Sequence, residues 1–196
     1  MARAAIDVTT EKEISERRER AAAERQKATA ARQSRETLRS RLDNLASELG
    51  SQEAGYRFQD WFYDLAAFEE IDLRRPYVSA GRQIDGILTV DGTTYLVELR
   101  FRQEPSGGPD IDGLLTKVNS KADNTMGLFI SASGFNAGAL QTASFAKTPL
   151  LLLDCPHLYH ILSGLMTLSE VIQRVRRHAS QTGDAFLSVV NFSGQN

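Results

Sequence analysis

The chain has 196 residues, with 23 Lys and Arg against 25 Asp and Glu and a formal net charge of −2. That length holds one ordinary domain plus an appendage, and the near-neutral balance excludes nucleic-acid binding by bulk positive charge. Any such contact has to be local or supplied by a partner. No apolar run approaches the roughly 18 residues that cross a bilayer, and MARAAIDVTTEKE has no signal-peptide apolar region. A lone Cys155 excludes an intramolecular disulfide. As a small apolar residue after a leucine run it reads as core packing in a reducing cytoplasm. A cytoplasmic protein without membrane contact is expected.

Residues 1–50 differ sharply from the rest. They hold eleven Lys and Arg, nine Asp and Glu and ten Ala, with no aromatic, no proline and no glycine before Gly50. This is helix-favouring composition, and 11–49 predicts one long helix. Leu38, Leu42, Leu45 and Leu49 follow a 4-3-4 spacing, the seam for a partner helix. Residues 1–50 are therefore expected to be a helical, coiled-coil-like arm. A helix with mostly polar faces gains little from propensity alone, so the arm should mediate a homodimer or dock on a larger assembly.

The globular part is expected over 51–196. In GYRFQDWFYDLAAF (55–68), Phe58, Trp61, Phe62 and Leu65 mark one apolar helical stripe. RQIDGILTV (82–90) and TTYLVELRFR (93–102) read as strands around Asp91-Gly92, a strong signal for a two-residue hairpin turn. Tyr77 and Val78 precede them as a further possible strand. With Val90 opposite Thr93, position 85 falls opposite position 98, and side-chain alternation puts Asp85, Glu98, Arg100 and Arg102 on one face. Two acids converging beside cations suit a hard divalent metal and a phosphate. The structural alternative is a cross-strand salt-bridge row.

After the loop QEPSGGPD, with Asp110 and Asp112 as helix N-terminal residues and Gly107-Gly108 as a turn, a helix is predicted over 111–122. GLFISA (127–132) is an apolar strand, a helix starts near Asn136, and PLLLLD (149–154) is the next strand. Two such strands bracketing a helix argue a parallel βαβ unit. Thr167-x-x-Glu170 is a capping box for a last helix, through about His178, whose RVRRH (174–178) has a secondary claim to phosphate contact. AFLSVVNF (185–192) is one more strand or a docking tail. His157-x-x-His160 has helical spacing, but nothing completes a zinc set around it. The fold class that results is α/β, a mixed central sheet flanked by helices, with a long N-terminal helical arm.

This order of elements resembles the restriction-endonuclease-like superfamily of PD-(D/E)xK nucleases, and within it the Mrr-type branch. The residues that carry the likeness are GYRF (55–58), IDGIL (84–88), YLVELR (95–100) and GLFISASGFNAGALQTA (127–143), and it covers roughly 52–155. The resemblance implies a metal-dependent DNA endonuclease using Mg²⁺ or Mn²⁺, as part of a restriction or defence system. It assigns Asp85 and Glu98 to the metal, with the Leu99 carbonyl as a third ligand, and Arg100 to the phosphate. Arg102 would add a nucleic-acid contact. The sequence departs from the family pattern twice. Arg100 stands where lysine is usual and cannot lose a proton near neutral pH, so Lys117 or Lys121 on the following helix would have to reach in. Gln59 stands where the first helix often has an acid. The alternative is a catalytically inactive nuclease-fold module that binds nucleic acid or a protein.

Overall fold

The computed structural model describes residues 2–74, 77–79, 82–84 and 86–194. They divide into two compact units, Met1–Thr37 and Leu38–Asn196. The first is helical and belongs to α1 (Ala2–Ala46). Within it the hydroxyls of Thr29 and Thr37 fold back onto the carbonyls of Arg25 and Gln33, at 2.8 and 2.9 Å.

The second unit begins inside α1, at Leu38. Leu38, Leu42 and Leu45 are only 5%, 1% and 5% exposed and share a core with Phe58, Trp61 and Leu65. Leu49 is partly buried against the same core. The 4-3-4 leucines expected to meet a partner helix are thus used within the chain, in the compact unit that starts at Leu38. The Trp61 indole donates to the Leu38 carbonyl at 2.8 Å, and Tyr159 donates to Asp43 at 2.6 Å. α2 (Gln52–Phe68) starts at Ser51, whose hydroxyl accepts the Ala54 N–H at 3.1 Å.

Five strands make the main sheet: β1 (Asp72–Arg74), β4 (Gly86–Val90), β5 (Thr93–Arg100), β6 (Thr125–Ser131) and β7 (Leu150–Asp154), in the order β1-β4-β5-β6-β7. β2 (Tyr77–Ser79) and β3 (Arg82–Ile84) pair separately. Asp91 and Gly92 both have positive φ, +49° and +72°, the backbone that a two-residue turn between right-twisted strands requires. The register is the expected one, from Val90↔Thr93 to Gly86↔Val97. The described parts of the run 82–90 have different partners, however. Its first part pairs with β2, and β1, unanticipated, takes the edge beside β4.

Beyond the hairpin the sheet turns parallel. β5 leads through α3 (Gly108–Asn119) to β6, and β6 leads through α4 (Ala137–Ala143) to β7, both pairings being parallel. Helices therefore cover both faces, which is why β6 and β7 read as continuous apolar runs. Leu96, Phe129, Leu150 and Leu152 pack under α3 and α4, with Ile111, Leu114, Val118 and Ala139. Tyr95, Val97, Leu128, Ile130 and Leu153 pack under α2, α5 (Cys155–Leu162) and α6 (Leu168–Thr182). A Cβ on Gly127 would lie 2.6 Å from Leu150 Cδ2 and 3.0 Å from Leu114 Cδ2, so the bare Cα lets α3 approach the sheet.

The C-terminal residues do not form another strand. After a single bridge between Leu152 and Phe186 they dock as a tail, with Leu187 and Phe192 buried and a 3₁₀ turn at Val189–Gly194. His157 pins that tail. Its fully buried ring meets Asp154 through Nδ1 at 2.5 Å and the Leu187 carbonyl through Nε2 at 2.8 Å. Two arginines of RVRRH are likewise structural: Arg174 bonds the Phe192 carbonyl, and Arg176 reaches Thr93 Oγ1 at 2.8 Å.

Candidate active site

Alternation along β5 sends Tyr95, Val97 and Leu99 toward α2 and α6, and Leu96 and Glu98 toward α3. Glu98 is an acid at the edge of a core layer, only 4% exposed. Such a carboxylate has to be paired to remain there. α3 provides the pairing. Its apolar stripe, Ile111, Leu114 and Val118, lies on the sheet, and Lys117 follows Leu114 by three residues on the flank of that stripe. Its ammonium meets Glu98 Oε2 at 2.6 Å. Arg100, one pleat on, meets Glu98 Oε1 at 2.5 Å. Each carboxylate oxygen thus has its own cation.

The arginines are organised by the start of α3. The Asp110 carboxylate accepts the N–H of the N-cap residue Gly107 at 2.9 Å, forms an ion pair with Arg102, and has Oδ1 3.7 Å from Arg100 Nε. Arg100 also donates to the Leu99 carbonyl at 3.3 Å and lies over the Phe129 ring. Its side chain stays about one-third exposed, so it faces both the buried carboxylate and solvent. This role of Asp110 was not foreseen from the sequence, where it read only as a helix-start residue. The available signal was the loop QEPSGGP, which turns the chain back immediately after Arg102.

The remaining candidates divide. Gln59, on α2, donates to the Tyr63 hydroxyl at 2.8 Å and lines a polar groove of about 330 Å³ together with Leu99 and Arg100. Tyr63 abuts the start of β4, where a Cβ on Gly86 would lie 3.3 Å from its ring. Lys121 lies just beyond α3 and lines a different groove, with Asn119 and Lys147. Asp85 lies outside the described residues, and the hairpin ladder is described as far as Gly86↔Val97. Cys155 offers no competing nucleophile. Burial, reinforced by Asp154 and Asp43, pushes its thiol up to about 11, so it is protonated at neutral pH.

Among the described residues no three His, Cys, Asp or Glu side chains converge as a ready metal cage. A cage is not what a magnesium site requires, since that ion keeps several waters and binds through one or two carboxylates. The Glu98 carboxylate and the Leu99 carbonyl are hard oxygen donors adjacent on one strand. Each Glu98 oxygen retains lone-pair capacity beyond its cation. The residues present fit such an ion.

The family model described as a restriction endonuclease, Mrr catalytic type, matches residues 51–162, more than half of the chain. The chain belongs to the Mrr-type restriction endonuclease family. No curated protein and no solved structure matches it significantly. The matched Mrr span runs from Ser51, the N-cap of α2, to Leu162, the last residue of α5. It takes in Gln59, Glu98, Arg100 and Lys117, and it leaves out α1 and α6. The mixed sheet with helices on both faces is the restriction-endonuclease-like fold.

Proposed function

We propose that this Mrr-type chain is a Mg²⁺-dependent endonuclease that hydrolyses phosphodiester bonds in DNA, acting in the cytoplasm as part of a restriction or defence system. The observation that carries this reading is the nearly buried Glu98 carboxylate with Lys117 and Arg100 at 2.6 and 2.5 Å. Glu98 and the Leu99 carbonyl would hold Mg²⁺ or Mn²⁺. Extending the hairpin register one residue past Gly86↔Val97 would set Asp85 opposite Glu98 as the second carboxylate. When bound, the ion supplies Lewis-acid polarisation of the phosphoryl oxygen and lowers the pKa of a water.

The chain's own groups do the rest. Arg100 binds a non-bridging phosphate oxygen through its planar fork and stays charged throughout. Lys117, fixed by Glu98, hydrogen-bonds the attacking water and is the cation of the site able to exchange a proton. Asp110 holds Arg100 and Arg102 toward the phosphate. In the reaction a water oxygen bonds to phosphorus, one P–O ester bond breaks, and the water's proton ends on the departing oxygen or in solvent. A lysine reaching Glu98 from α3 supports hydrolysis over the inactive binding module, because it restores the ammonium that Arg100 cannot replace. With the leucines of α1 used inside the chain's own core, the homodimer or larger assembly expected through the N-terminal helix falls to residues 1–37.

Supercoiled plasmid incubated with the protein tests the reading. Nicked and linear forms should appear with Mg²⁺ or Mn²⁺, disappear with EDTA, and be absent for folded Asp85→Ala and Glu98→Ala. Cleavage that survives both substitutions overturns it.

A further inference from the structure

Gly55 sits in the fourth position of α2, within helical backbone whose N–H is bonded to the Ser51 carbonyl at 3.1 Å. It has no positive φ, and a Cβ added there would meet nothing within 4 Å. Neither backbone nor packing asks for glycine, which costs stability in a helix relative to alanine. The space above its Cα is the polar groove beside Leu99 and Arg100. Tyr56, the next residue, lines the same groove with 58% of its surface exposed, one of few large apolar side chains left so open among the described residues. The other wall residues include Gln52 and Gln59, neutral amides able to donate and accept. Among the described residues, Arg100 is the one charged residue on the wall.

We propose that this groove is the track of the DNA strand next to the scissile phosphate, with the sugar–phosphate backbone against the bare Cα of Gly55 and an unstacked base on the Tyr56 ring. This assignment rests on the endonuclease reading and deepens it. An aromatic face accepts any base, and a groove whose described wall carries the Arg100 cation gives local contact without bulk charge, which is what a chain of net charge −2 requires. Glycine at position 55 then sacrifices helix stability for close approach of a ligand that the protein itself does not contain.

The test is fluorescence anisotropy of fluorescein-labelled single-stranded and duplex DNA in EDTA, where binding is read without cleavage, with thermal melts of every variant. Gly55→Ala should melt at or above the wild-type temperature, and Gly55→Leu should bind DNA about tenfold or more weakly while remaining folded. Tyr56→Ala should lose about tenfold through the missing stack, and Tyr56→Phe should bind as wild type. Wild-type affinity in both Gly55→Leu and Tyr56→Ala overturns the assignment. Wild-type protein that binds but never cuts with Mg²⁺ overturns the hydrolytic reading and leaves the groove standing if the variants weaken binding. Protein that neither binds nor cuts overturns both.

Discussion

Lys117→Met keeps most of the aliphatic stem and removes the ammonium 2.6 Å from Glu98. The Glu98 side chain, 6% exposed, retains Arg100 at 2.5 Å. The loss is therefore one charge-assisted hydrogen bond, about 1.5–3 kcal/mol, and not the ~3–5 kcal/mol of abandoning a buried charge. For a domain of this size, ~2–4 °C per kcal/mol gives a melting temperature lower by roughly 3–12 °C. Plasmid cleavage should fall much further, by about 10²–10⁴-fold, the usual worth of a positioned proton-transfer group. A double-mutant cycle with Glu98→Gln separates the two effects. With the carboxylate charge gone, Lys117→Met should cost almost nothing in stability, giving a coupling of about 1–3 kcal/mol. Scanning calorimetry and cleavage rates measure both. Wild-type cleavage by Lys117→Met, or a coupling indistinguishable from zero, would refute the assignment of Lys117 to this site.

Four further outcomes follow from packing and burial. Gly127→Val pushes into Leu150 and Leu114, which should cost about 1–3 kcal/mol as overpacking; by lifting α3 off the sheet it should also reduce cleavage more than that stability loss explains. Deleting residues 1–37 should leave the second unit folded, whereas deleting 1–50 removes Leu38, Leu42 and Leu45 from its core, and red-shifted Trp61 fluorescence should report the exposure. Leu42→Ala alone should cost ~2–5 kcal/mol in denaturant unfolding, and no loss would contradict its burial. The Cys155 thiol, raised from 9.0 to about 11 chiefly by burial, favours the folded state fully below about pH 9. That contribution should fade as pH rises toward 11, and iodoacetamide labelling of native protein should show the same high apparent pKa.

Much of this site could be read from the chain because hairpin geometry is local. Asp91-Gly92 fixes the turn, the turn fixes the register, and the register fixes which β5 side chains share a face. The parallel unit was legible for the same kind of reason, since strands covered on both faces carry unbroken apolar runs. What escaped the sequence depended on distant partners. The leucine spacing at 38–49 is identical whether the helix meets a second chain or its own α2, and only the tertiary structure distinguishes them. Lys117 was one of two lysines on α3's reach, and the three-residue step from Leu114 places it, rather than Lys121, at Glu98. α5 was not placed: the strand ends at Asp154 and His157-x-x-His160 has helical spacing, and Asp154 as N-cap followed by Pro156 is the helix start that went unused. The C-terminal AFLSVVNF has strand composition, but His157 and Arg174 hold it through its carbonyls as a docked tail.

The central claim is that Glu98 anchors a hard divalent ion at the end of β5. A crystal of the full chain soaked in Mn²⁺ and measured at the manganese absorption edge tests it in one observation. The account predicts an anomalous peak within coordination distance of a Glu98 carboxylate oxygen and the Leu99 carbonyl, with Asp85 as the second carboxylate and Arg100 and Lys117 still beside it. A peak bound elsewhere, or no peak at saturating Mn²⁺, would contradict it.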